Sequence, residues 1–420
     1  MFKKSSTGNG RPRVAGQEQA VCRRVRVRVF GAKGAKMAEQ IFIGADVFDG
    51  VRLHRDAALW VRDGRVLAIG APPKGPDLAQ AQVLSGGILA PGLIDLQVNG
   101  GGGVMLGQSP GVAEIACIIQ AHGRLGTTSL LPTLITDTPE VTRAVLAAGI
   151  QAAHERLPGF LGLHLEGPHL DPVRKGAHAA DLIRPMQPQD LAMLCDAAGQ
   201  LPVLMVTLAP EAVTPEQIAA LAAAGVIVSL GHSDCSFETA QAAFGAGARG
   251  VTHVFNAMAP LGHRAPGLAG AALAAAVYAG VIADGVHVAP AVLRLAALAK
   301  RGAGLFLVSD AMAVAGTDLT EFTLAGRRIL RRDGQLRLPD GTLAGADCDL
   351  CRAVAVMMAA LDDAETGLET ALAMATARPA AFIGQAAAGL GHLQPGGAAD
   401  MVHLGADLSL KAVWRGGVLL

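Results

Sequence analysis

From about residue 88 to residue 310, short apolar runs that end in polar residues alternate with Ala/Leu-rich stretches. Eight such runs cover residues 88–94, 128–132, 160–165, 203–207, 226–231, 250–252, 277–283 and 305–309. They end near Asp95, Thr133, Glu166, Leu208, His232, His253, Asp284 and Asp310, at spacings of 21 to 42 residues. Each spacing leaves room for a crossover helix. Near-continuous apolar strands suit a parallel sheet covered on both faces. The pattern therefore predicts an α/β fold built on a (β/α)8 TIM-like barrel.

The flanks are patterned differently. Short β-like runs at 40–43, 58–61 and 65–69 are separated by turns such as Asp63-Gly64 and Pro72-Pro73. Runs at 399–404 and 412–414 return to this style. Both ends of the chain (37–87 and 395–420) are expected to form a small β-sandwich domain. Residues 88–394 would form the catalytic barrel between them. Long helices at about 346–384 would bridge the two.

A parallel barrel carries its chemistry at the C-terminal ends of its strands. The polar residues there are Glu166, His232, His253, Asp284 with His287, and Asp310. One carboxylate and two imidazoles can hold a metal and leave a coordination position open. A free carboxylate at another strand end, Asp310, could shuttle a proton. In the first strand Asp95, Gln97 and Asn99 alternate and share one face. Amides are poor metal ligands, so one metal is expected rather than two. His164 should share the inward face with Glu166, either orienting a ligand or filling the barrel. Gly100–Gly103 lacks the context of a phosphate loop and is expected to be a flexible connection.

Composition narrows the classes. Hydrophobic residues make up 51% and charged residues 17%, which excludes a disordered chain. Aromatics at 3% leave no stacking platform for single-stranded nucleic acid. The zero net charge is a cancellation. Residues 1–36 hold ten basic groups and one acid, leaving 25 basic and 34 acidic groups in the rest. That head lacks the apolar core of a secretory signal and is expected to be a disordered or non-native extension. Six scattered cysteines form no disulfide framework and suggest a reducing, cytoplasmic compartment. The Cys348-x-x-Cys351 spacing has no second pair to complete a metal site. Residues 265–283 carry no charge, but Pro266, Gly267, Gly270 and Gly280 argue for a buried helix feeding a strand rather than a membrane span.

Several motifs carry a family resemblance. Ala90-Pro91-Gly92-Leu93-Ile94-Asp95 looks like the first barrel strand of the amidohydrolase superfamily. His164-Leu165-Glu166-Gly167-Pro168-His169 with Lys175-Gly176-Ala177-His178, and Gly231-His232-Ser233, resemble the N-acetylglucosamine-6-phosphate deacetylases. So do Thr252-His253-Val254-Phe255-Asn256-Ala257-Met258 and Arg264-Ala265-Pro266-Gly267. Asp284-Gly285-Val286-His287, Val308-Ser309-Asp310-Ala311 and Leu343-Ala344-Gly345 complete the set in the family's order.

The resemblance implies that Glu166, His232 and His253 bind one divalent metal. Zn2+ suits this set, and Fe2+ or Co2+ can occupy it. Asp310 would be the general base and then the acid. Arg264 and His287 would hold the substrate, with Asp284 beside them. Ala177, His178, Asn256, Ala257, Leu343, Ala344 and Gly345 would line the sugar site. The implied partners are a phosphorylated amino sugar and a second copy in a homodimer able to complete the phosphate site, with no nucleic acid and no membrane. The Gln97/Asn99 pair matches the single-metal branch, whereas His-x-His would mark the two-metal branch. His169 and His263 depart from the family pattern. Three alternatives compete: another amidohydrolase such as a deaminase, a non-catalytic relative, and a nucleic-acid-associated protein using the basic head.

Overall fold

The computed structural model describes residues 39–74, 79–300, 304–363 and 366–420. The basic head, residues 1–36, lies outside the described residues.

Eight parallel strands follow one another in sequence order around a single sheet. We number them β1 (Leu93–Val98), β2 (Thr127–Ile135), β3 (Leu163–Glu166), β4 (Leu204–Leu208), β5 (Ile227–Leu230), β6 (Gly250–Val251), β7 (Tyr278–Val281) and β8 (Leu305–Leu307). The seam between β8 and β1 is drawn together just past β8. There the Asp310 N–H donates to the Gln97 carbonyl (3.0 Å), and the Asn99 N–H donates to the Ala311 carbonyl (2.9 Å). The strand side chains form the (β/α)8 core and are buried on both faces of the sheet, as the apolar runs require. Helix starts are marked in the sequence. Thr138 and Thr214 each accept a backbone N–H and are followed by proline, which suits the first helical position.

The first apolar run is divided between two sheets. Ile88–Pro91 pairs with Asp46–Phe48 and Met401–Leu404 outside the barrel, and β1 begins only at Leu93. Asp95 thus lies within β1 rather than at its end. Two sheets, of four and six strands, are built from residues near both chain ends. They enclose a separate core of Phe42, Val47, Leu59, Leu89, Met401 and Trp414, among others. This is the small β-sandwich.

Three features differ from the sequence expectation. Residues 321–346 form a four-stranded antiparallel meander beyond β8, where the sequence pattern predicts no sheet. Its own core includes Ile329, Leu336 and Ala344. The helices expected across 346–384 are three short ones, Leu350–Leu361, Gly367–Met374 and Ala377–Phe382. Gly100–Gly101 pairs with Val104–Met105 in a tight hairpin, so the glycine run is an ordered turn rather than a flexible connection.

Residues 265–283 form a helix, Gly267–Ala274, and then β7. Among the described residues no helix is long and apolar enough to cross a membrane. Cys348 and Cys351 are buried free thiols.

Candidate active site

A cavity of about 190 Å3 opens at the C-terminal ends of the strands. Three strand ends aim one ligand atom each into it. Glu166 closes β3, while His232 and His253 lie just past β5 and β6. Both histidines have left-handed backbones, with φ of 49° and 30°. Such conformations cost roughly 1–3 kcal/mol at a non-glycine residue and cluster at functional sites.

The atoms converge closely. His232 Nε2 lies 3.2 Å and His253 Nε2 3.0 Å from Glu166 Oε1, and the two nitrogens are 3.1 Å apart. His232 Nδ1 lies 2.8 Å from the Arg174 carbonyl, an acceptor only, so Nδ1 donates there. In the tautomer with its proton on Nδ1, Nε2 carries a lone pair and faces Glu166. A lone pair against a carboxylate oxygen is unfavourable unless a cation sits between them. The three donor atoms all fall within 4.8 Å of one another, which suits one metal ion.

Asp310 faces this group across Gln97. It has a left-handed backbone too, with φ of 50°. Burial, with the Glu166 charge behind it, pushes its carboxyl up to about 6. A carboxylate poised there can both take and return a proton near neutral pH.

His178 forms one wall. Its Nε2 lies 4.0 Å from Glu166 Oε2. Burial, with His232 nearby, lowers it to about 3, so it stays neutral. His287 is oriented from below: its Nδ1 lies 2.7 Å from Asp284 Oδ2, and Asp284 Oδ1 accepts the N–H groups of Val286 and His287. Burial opposes the Asp284 charge, but the His287 contact and the two backbone N–H groups prevail and lower its pKa.

Ala177, His178, Asn256, Ala257, His287, Leu343 and Gly345 all line the cavity with the convergent group and Asp310. Gly345 has a φ of 70°, and a Cβ there would lie 2.5 Å from Met312 Cγ, so only glycine lets the meander edge lie over the Asp310 turn. Three expected site residues are placed elsewhere. Ala344 packs inside the meander core, and Asp284 lies under His287. Arg264 is exposed and does not line the cavity. His263 beside it is also exposed. His164 is buried between the hydroxyls of Thr133 (3.2 Å) and Thr207 (2.7 Å). His169 is buried against the Arg184 carbonyl at 3.1 Å.

Sequence reasoning missed several contributors. Thr136 supports His178 from the loop after β2. Glu211 accepts the Ser233 hydroxyl at 2.9 Å and the Asp234 N–H at 2.9 Å, bracing the turn after His232. Arg327 of the meander donates to the Ala177 carbonyl and ties the meander to the His178 loop. Glu211 follows the end of β4, so its strand-end position was a usable signal. The other two act through loop contacts that spacing does not reveal.

The amidohydrolase family profile matches residues 88–420. An N-acetylgalactosamine-6-phosphate deacetylase of Shewanella sp. (strain ANA-3) is 40% identical over 380 residues, covering 90% of this chain and 95% of the relative. The human N-acetylglucosamine-6-phosphate deacetylase is 36% identical over 414 residues, covering 93% of this chain and 97% of the relative. The crystal structure of N-acetylglucosamine-6-phosphate deacetylase from Pasteurella multocida superposes with a TM-score of 0.86 at 32% identity, covering 91% of this chain and 100% of that one.

Proposed function

Given that the chain belongs to the amidohydrolase family and is a hydrolase, we propose that it removes the acetyl group of N-acetylglucosamine 6-phosphate. The products are glucosamine 6-phosphate and acetate. The observation that carries this reading is the convergence of Glu166, His232 and His253 on one point, with Asp310 facing them in the same cavity.

A divalent metal on those three ligands, Zn2+ in our reading, would acidify water and polarise the acetyl carbonyl. Asp310 takes a proton from the attacking water as the new C–O bond forms. His178 holds its Nε2–H toward the carbonyl oxygen, where negative charge builds. The C–N bond then breaks, and the acid form of Asp310 returns the proton to the departing nitrogen. An amide needs this last transfer, because an amide anion is too basic to leave.

His287, held by Asp284, and the backbone around Asn256-Ala257 would bind the sugar. Arg264 would meet the phosphate, its planar guanidinium suited to that group. Because Arg264 is exposed outside its own cavity, we assign it to the neighbouring site of a homodimer. The free buried thiols fit a cytoplasmic location.

The 40% identical relative named for the galactose epimer favours one second reading, N-acetylgalactosamine 6-phosphate as the substrate. Acetate release from both sugar phosphates, before and after chelation and metal add-back, tests the proposal. The epimer with the larger kcat/KM is the substrate. Absence of metal-dependent acetate release from either would overturn the reaction assigned.

A further inference from the structure

Gln97 and Asn99 have no part in the reaction as drawn, yet they reach into its centre. Gln97 Nε2 lies 3.1 Å from Glu166 Oε1 and 3.1 Å from Asp310 Oδ1. Asn99 Nδ2 lies 2.7 Å from the same Asp310 Oδ1 and 3.4 Å from Met312 Sδ. The backbone of the same strand accepts the Asp310 N–H through the Gln97 carbonyl. Asp310 is thus held by β1 through both main chain and side chain. An amide oxygen facing a carboxylate would repel it, so each amide presents its NH2 group.

On the reading of Asp310 as the proton carrier, we propose that Gln97 and Asn99 are positioning residues that select Oδ2 as the oxygen that takes and returns the proton. Two N–H donors on Oδ1 stabilise negative charge there and make that oxygen the less basic of the pair. Oδ2 accepts no hydrogen bond from the described residues, and Asp310 lines the cavity. The same two contacts fix the rotation of the carboxylate, so Oδ2 faces the site in one direction. Gln97 also places one neutral donor between two carboxylates that would otherwise repel each other. Neutral amides achieve this without adding a charge.

The test uses the full chain with metal restored, and compares kcat, KM, bound metal and thermal midpoint. Asn99→Leu keeps the approximate shape and removes the donor; Gln97→Met does the same on the other side and serves if Asn99→Leu does not fold. Each is made in the native protein and in the Asp310→Asn background. In the native protein we expect kcat to fall about 10- to 100-fold, the range a misdirected catalytic group produces, with KM within about twofold and metal content unchanged. In the Asp310→Asn background the same substitution should cost nothing further, because it acts through the carboxylate already removed. Equal losses in both backgrounds, or a loss below about twofold in the native protein, would overturn the positioning role. Native kcat in Asp310→Asn alone would overturn the proton-carrier reading beneath it, a result distinguishable from either.

Discussion

Thr136 donates its backbone N–H to Nδ1 of His178 at 3.2 Å. A backbone N–H can only donate, so Nδ1 must be the unprotonated nitrogen. The proton of the neutral ring therefore sits on Nε2, the nitrogen nearer Glu166. Burial keeps the ring neutral down to about pH 3. His178 is thus a fixed donor rather than an acid or a base. His178→Leu, which has no donor, should lower kcat by about 10²–10³-fold, the usual cost of losing one oxyanion donor. KM and bound metal should change little. Steady-state kinetics with metal analysis checks this, and loss of the metal would make His178 a ligand instead.

Activity should depend on pH through Asp310. Its carboxyl is pushed up to about 6 by burial and by the Glu166 charge. The base form is needed to take the first proton, so kcat/KM should fall tenfold per pH unit below that value. A cation held by Glu166 offsets the Glu166 charge and moves the limb downward, so it should lie at or below pH 6. Asp310→Asn should remove this limb and lower kcat by about 10²–10⁴-fold. A profile that rises as pH falls would contradict the assignment.

The barrel and the polar residues at its strand ends were legible because they follow a repeat. Glu166, His232, His253 and Asp310 occupy equivalent positions at or just past β3, β5, β6 and β8, where the strand-end pattern finds them. The boundary at β1 was not legible. Residues 88–98 are apolar almost throughout, and nothing in that run says that Ile88–Pro91 joins a different sheet. The meander was obscured by its charge. Its central strand, Arg327–Arg332, holds four arginines around Ile329 and Leu330, so no apolar run marks it. The turns Asp333-Gly334 and Asp340-Gly341 were present as signals. The contact between Thr136 and His178 joins residues 42 apart in loops, and no periodicity encodes such a contact.

Metal content should be close to one ion per chain. The donor cluster found among the described residues is Glu166, His232 and His253. On the β1 side, Gln97 and Asn99 turn N–H groups toward the carboxylates, which excludes rather than invites a cation. Chelation should abolish acetate release, and one equivalent of Zn2+ should restore it. Two tightly held ions by elemental analysis would contradict this geometry.

The placement of Arg264 makes a prediction about assembly. It is exposed and outside its own cavity, and among the described residues lining that cavity there is no lysine or arginine. A phosphate dianion bound there would therefore need a cation from elsewhere. If Arg264 serves a neighbouring subunit, Arg264→Ala should raise KM for the phosphorylated sugar and barely affect the plain one. At substrate well below the raised KM, Arg264→Ala and Asp310→Asn protomers are each nearly inactive and should then complement. In a mixed two-fold dimer, one of the two sites joins an intact Asp310 with the intact Arg264 of its neighbour. Statistical mixing would restore about a quarter of native activity. If Arg264 acts within its own chain, no mixed dimer contains a complete site, and mixing should restore nothing.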